Sequence, residues 1–262
     1  MQNDTLIKQL NITRIKNNNK ILIKDNIIDE DILQIYINNK KTFEMVFSMT
    51  HPKALAVGFL FTQGIVDNKI DIKEIIFHKG QKQCNITLNL KAQERLNNFI
   101  KRDKIKGSSG GVLLQDKTAV LPTDPNKTIP ITYSQVLSLI KSHQEQSRLF
   151  HQTGAVHSAG LCDSIKVLSY YEDIGRHNAL DKLAGDILLN GIDTKNKIAT
   201  LSCRMSLEII GKIIKTGIPI VISNAAPTLS AVKLANRAGL TMIGFARDNR
   251  FNIYTHEQRI HD

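Results

Sequence analysis

The chain has 262 residues, 42% hydrophobic and 23% charged, with a formal net charge of +11. These values exclude a disordered chain and allow one large domain or two of ordinary size; two is the expectation. No apolar run reaches membrane-spanning length, and the opening Met1-Gln2-Asn3-Asp4-Thr5 has neither the basic nor the apolar region of a secretion signal.

The first third reads as α+β. Ile32–Ile37 and Thr42–Phe47 flank the polar turn Asn38-Asn39-Lys40 and predict a hairpin. Thr50-His51-Pro52 then starts a helix with little polar surface, which Gly64 stops, so the helix is expected to be buried. Strand patterning resumes at Glu74–His78 and Gln83–Leu90, with Cys84, Ile86, Leu88 and Leu90 alternating onto one face; this reads Cys84 as a core thiol. From Lys91 to about Arg148 the pattern is basic and less regular. Gly107-Ser108-Ser109-Gly110-Gly111 and Pro122, Pro125 and Pro130 predict a linker or an active-site loop, mobile for want of packing partners. The expected divisions are 1–106, 107–130 and 131–262.

The last part alternates strand and helix. A strand at Ser164–Tyr171 leads to a helix with Leu180, Leu183, Ala184, Ile187 and Leu188 in phase; strands at Lys197–Leu201, Ile218–Ser223, Leu240–Ala246 and Phe251–Thr255 follow, with helices between the first three. This is the signature of an α/β sheet covered by helices. The unusual polar residues then fall after strands: Glu172, Asp173, Arg176 and His177; Ser202, Cys203 and Arg204; Asn224 and Thr228; Arg247 and Arg250. Ligands of α/β sheets bind at the carboxyl edge, and arginines beside helix N-termini suit a phosphate or pyrophosphate. The competing reading of the Glu172–His177 cluster is a solvated helix start with Asp173 as N-cap and Arg176 in a surface ion pair. No Walker motif or GxGxxG is present, and His157, the other histidines and Cys203 show no metal-ligand spacing, so no bound metal is expected. Three cysteines without a CxxC pair predict reduced thiols and a cytoplasmic location. Aromatic content of 5% without Trp argues against a nucleic-acid groove despite the charge.

Taken together, Ala54–Leu60, Gln63-Gly64-Ile65, Thr153–His157, the run Glu172–Lys182, Ala225–Thr228 and Gly244–Arg247 resemble the FdhD formate dehydrogenase accessory proteins, sulfurtransferases acting on the molybdenum cofactor. The resemblance implies a C-terminal domain similar to the cytidine deaminase fold, a smaller N-terminal domain and a homodimer. It also implies binding of molybdenum bis(molybdopterin guanine dinucleotide) by Phe245, Ala246, Arg247, Asp248, Asn249 and Arg250, and partnership with a cysteine desulfurase and formate dehydrogenase. The family's CGxC motif, however, aligns with Gly110 and Leu113, which cannot form a persulfide. Two functions stay open: a sulfurtransferase that uses Cys203, whose thiol a helix N-terminus and Arg204 would acidify, or depends on another protein's thiol; or a cofactor-binding chaperone that moves no sulfur. The alternative for Cys203, a small residue tolerated at a glycine-like site, is the favoured one.

Overall fold

The computed structural model describes residues 6–101, 105–106, 112–113 and 130–262. The loop expected at 107–114, Gly110 included, lies outside the described residues apart from the backbone of Val112 and Leu113, as does most of the proline stretch.

The chain opens with a ribbon of β1 (Ile7–Lys16) and β2 (Asn19–Ile28), followed by the hairpin β3 (Asp31–Ile37) and β4 (Lys40–Phe47). Both turns are Asn-Asn pairs at positive φ, a conformation asparagine tolerates better than most residues. After α1 (Pro52–Thr62) come β5 (Ile72–His78) and β6 (Gln83–Leu88), completing a four-stranded sheet of order β4-β3-β6-β5. Next is α2 (Leu90–Lys101), where a strand end and then an irregular segment were expected. Asn89 accepts a hydrogen bond from the Ala92 amide, and Ala92, Leu96 and Phe99 point into the core, while Leu90 is exposed. The short pair β7 (Ile105–Lys106) and β8 (Val112–Leu113) precedes β9 (Ile131–Thr132), α3 (Tyr133–Glu145) and α4 (Arg148–Thr153).

A six-stranded sheet follows, built from β10 (His157–Cys162), β11 (Val167–Asp173), β12 (Ile198–Leu201), β13 (Ile220–Ser223), β14 (Thr241–Arg247) and β15 (Arg250–Thr255). Its helices are α5 (Arg176–Asn190), α6 (Leu207–Thr216) and α7 (Leu229–Arg237); β16 (Ile260–His261) closes the chain beside β9. The sheet order is β11-β10-β12-β13-β14-β15. Central strands are buried on both faces, so they read as continuous apolar runs. Ala199, Val221 and Met242 pack under α5, α6 and α7, while Ile198, Ile220 and Ile243 pack under α3.

The two sheets meet through α1 and α5. α1 is apolar all round because the four-stranded sheet covers one side and α5 the other. A β-carbon on Gly58 would overlap the Asp181 carbonyl, and one on Gly185 the Ala54 carbonyl, so these glycines let the two helix backbones touch. Among the described residues, no helix is long and apolar enough to cross a membrane.

Candidate functional site

Strand direction gathers the polar clusters. β12, β13 and β14 are parallel, and β11 runs with them because β10 is antiparallel to both β11 and β12. The carboxyl ends of β11 to β14 therefore share one edge, joined by the start of β10 with His157 and the start of β15 with Arg250. The loops after β12 and β13 are tied together, since the Met205 amide donates to the Ala226 carbonyl and the Thr228 amide to the Met205 carbonyl. The Phe245 amide reaches across to the Ala225 carbonyl.

The densest motif, Glu172 to Lys182, divides into an inward and an outward half. Inward, Asp173 and Lys182 form an ion pair at 2.6 Å with both side chains fully buried. Lys182 also donates to Thr50 Oγ1 at 2.8 Å and to the Glu172 carbonyl at 2.9 Å, and Asp173 accepts from the Ser48 amide at 3.2 Å and hydroxyl at 3.1 Å. Asn178 donates to Asp173 and to the Val46 carbonyl. A second buried pair, Asp181 with Lys212 at 2.5 Å, takes a further hydrogen bond from Thr62. Burial raises the Asp181 carboxyl and lowers the Lys182 ammonium pKa, which their partners offset in part. This half fastens the segment around residues 46–62 to the second sheet. It rules out the surface reading of the helix start, because Gly175 is the N-cap and Asp173 is the last residue of β11.

Glu172, one of the expected ligands, is engaged by α4 in this structure. Its carboxylate accepts from the Ser147 hydroxyl at 2.9 Å and from the Leu149 and Phe150 amides at 3.3 Å each, satisfying the N-terminus of α4. Outward, Arg176 and His177 open α5, whose N-terminus has no side-chain cap. Burial, then the charges of Arg176 and Arg204, lowers the His157 pKa. Burial with Lys212, Arg176 and His157 takes His177 down to about 3. His177 Nε2 lies 3.1 Å from Glu208, yet neither ring nitrogen makes a hydrogen bond among the described residues. A ring so hard to protonate is neutral at pH 7, so the contact with Glu208 is not an ion pair. Arg176, Arg204, His157 and His177 thus share one cationic neighbourhood, with Arg204 exposed.

Farther along the edge, Arg247 pairs directly with Arg250 across the β14–β15 turn, and Asp248 sits at φ 54°. Arg247, Asp248, Asn249 and Arg250 are all exposed, Ala246 is buried, and the half-buried Phe245 holds φ 53°, a conformation costly for a bulky residue and found where a strand is re-aimed. Four strand spacings separate the ends of β11 and β14, roughly 19 Å. Asn224 is half-buried in the loop between them, and the exposed Thr228 caps α7 through its hydroxyl.

Cys203 is not an activated thiol. It is 3% exposed within the core under α5 and α6, and burial pushes its pKa up to about 11 against the opposing pull of Arg176 and Arg204. Its neighbours Ser202 and Arg204 point elsewhere: the Ser202 hydroxyl accepts from the Ser158 amide at 2.8 Å. Cys84 and Cys162 are fully buried, with pKa values raised by burial to about 12 and about 11.

A family model described as FdhD/NarQ matches residues 28–261. A "Sulfur carrier protein FdhD" of Bacillus pumilus (strain SAFR-032) is 39% identical over 242 residues, covering 90% of this chain and 90% of that protein. Proteins of the same name from Staphylococcus haemolyticus and Bacillus subtilis are 35% and 34% identical; the alignments cover 98% and 99% of this chain, and 98% and 100% of those proteins. In fold, the chain is similar to a crystal structure described as that of a formate dehydrogenase accessory protein from Desulfotalea psychrophila, with a TM-score of 0.81, 23% identity, and coverage of 97% of this chain and 99% of that one.

Proposed function

The chain belongs to the FdhD/NarQ family, and on that premise we propose that it is an accessory protein of formate dehydrogenase that holds the molybdenum cofactor as cargo without carrying sulfur on its own thiols. The accessory role is drawn from the names of the similar proteins. The departure from a sulfur carrier rests on one observation. The sequence contains three cysteines, and all three are buried with raised pKa values. A persulfide carrier must accept sulfur from one protein and present it to another acceptor, which needs an accessible thiolate. Gly110 and Leu113 offer no sulfur, and use of Cys203 would require opening the core beneath α6.

The cargo fits the edge by charge and span. Arg176 and Arg204, with the uncapped start of α5, suit one set of phosphate oxygens; Arg247 and Arg250 suit another. A small anion cannot bridge groups separated by roughly 19 Å of sheet, whereas a bis(molybdopterin guanine dinucleotide) can, with a guanine nucleotide at Phe245–Arg250. In this reading sulfur from a cysteine desulfurase arrives through another protein's thiol. The same proposal includes a cytoplasmic homodimer, a cytidine deaminase-like arrangement for 131–262, an N-terminal domain at 1–106 and a joining loop at 107–130. Titration of the native protein with a thiol-reactive dye tests the observation that carries it. No thiol should react faster than the protein unfolds; one rapidly reacting cysteine would reopen the sulfur-carrier reading.

A further inference from the structure

We propose that the β1–β2 ribbon is a docking arm for an acidic, apolar-grooved surface on the enzyme this accessory protein serves; the identity of that enzyme rests on the reading above. Cross-strand pairing sorts the ribbon into two faces. At its root, Ile7 and Ile28 turn inward and pack with Leu6 against Leu149, Val156 and Ile174. The opposite face carries a continuous row of Ile27, Leu10, Ile12, Ile23 and Ile21, with Ile12 directly across from Ile23. Leu10 is 53% and Ile21 42% exposed.

Strands of ten residues extend roughly 33 Å, and a lone two-stranded ribbon gains little stability by itself. A row of aliphatic side chains on such a ribbon is an exposed apolar face of the kind that marks an interaction site. The charges select the cover. Residues 7–28 hold five cations, Lys8, Arg14, Lys16, Lys20 and Lys24, against the single carboxylate Asp25. A second copy would set like charges against each other, whereas an acidic partner gains both apolar burial and charge complementarity.

Position supplies the reason for an arm here. Val156 and Ile174, which hold its root, lie beside His157 and the Gly175-Arg176 helix start, so a protein bound to the ribbon stands next to the cationic edge.

The test measures binding of purified, cofactor-free formate dehydrogenase catalytic subunit from the same organism by biolayer interferometry. The wild type is compared with Leu10→Ser/Ile21→Ser and Arg14→Glu/Lys16→Glu, and GDP calorimetry is run on each preparation. Each double variant should bind the enzyme about tenfold more weakly, added salt should weaken the wild type, and GDP binding should be unchanged. Undiminished binding by both variants, or no binding by the wild type while GDP still binds, overturns the arm alone. Loss of both enzyme and GDP binding in the wild type removes the accessory reading beneath it. Ribbon-dependent attachment to phosphatidylglycerol vesicles, or ribbon-dependent self-association in sedimentation, without enzyme binding, would likewise overturn the proposal by naming a different occupant.

Discussion

His143 lies on α3, 1% exposed, between the Thr200 hydroxyl at Nδ1 and the Ser158 hydroxyl at Nε2, both at 2.8 Å. Burial takes its pKa from the ordinary 6.5 to about 4. Between those values the unfolded chain binds a proton that the folded chain refuses, so stability rises with pH there. The contribution is fully present above pH 6.5 and is lost as the pH falls toward about 4; it amounts to about 3 kcal/mol. His177 adds to the fall from the same upper limit of 6.5 and extends it to about 3. Urea denaturation from pH 7 down to 4 should show this loss, and His143→Gln, which does not titrate, should show a shallower one. An equal slope in the variant would mean that other groups set the acid limit.

Single residues also mark where sequence reading stopped. The Glu172–Lys182 motif was legible as the chain's chief polar constellation, but half of it faces inward. Asp173, Lys182 and Asp181 find partners at Ser48, Thr50 and Thr62, more than a hundred residues away in sequence. No local pattern announces such a contact. Cys203 stayed open between a relocated sulfur carrier and a small packed residue for a related reason: it lies two residues past β12, where its turn into the core, with Arg204 outward, is set by the fold.

At the scale of elements, the strand-helix alternation of the second half was readable because central strands are short apolar runs bounded by glycine, proline and polar turns. α2 was missed because the exposed Lys91 and Lys101 and the half-buried Arg95 mask the in-phase Ala92, Leu96 and Phe99. The α1–α5 contact is the element-level feature with the least tolerance. Gly58→Ala should destabilise the protein by about 3 kcal/mol, because both partners at the clash are helix backbone and neither can yield as a side chain would. Gly211→Ala on α6, with open space around it, should be neutral or stabilising by up to about 1 kcal/mol. Thermal melts of the two variants read this difference, and equal midpoints would contradict the close crossing. The β14–β15 turn carries the second element-level prediction. Arg247→Ala should weaken GDP binding roughly tenfold in calorimetry, the usual effect of losing a charge-assisted hydrogen bond to phosphate. Unchanged affinity would remove this turn from the cargo site.

Across the whole molecule, two sheets are held together by a glycine-mediated helix crossing and by hydrogen bonds between two buried ion pairs and Ser48, Thr50 and Thr62, and the second sheet presents one edge rich in arginine and histidine. That edge is suited to hold an extended anion, yet the chain brings no accessible sulfur to it. Its relatives carry the name of sulfur carriers, so the sulfur is where this member's function is decided. The most direct measurement is intact-protein mass spectrometry after incubation with a cysteine desulfurase and cysteine, with a CGxC-bearing relative run in parallel. The account predicts a one-sulfur adduct on the relative and none on this chain. An adduct on Cys203, removed by Cys203→Ser, would contradict it.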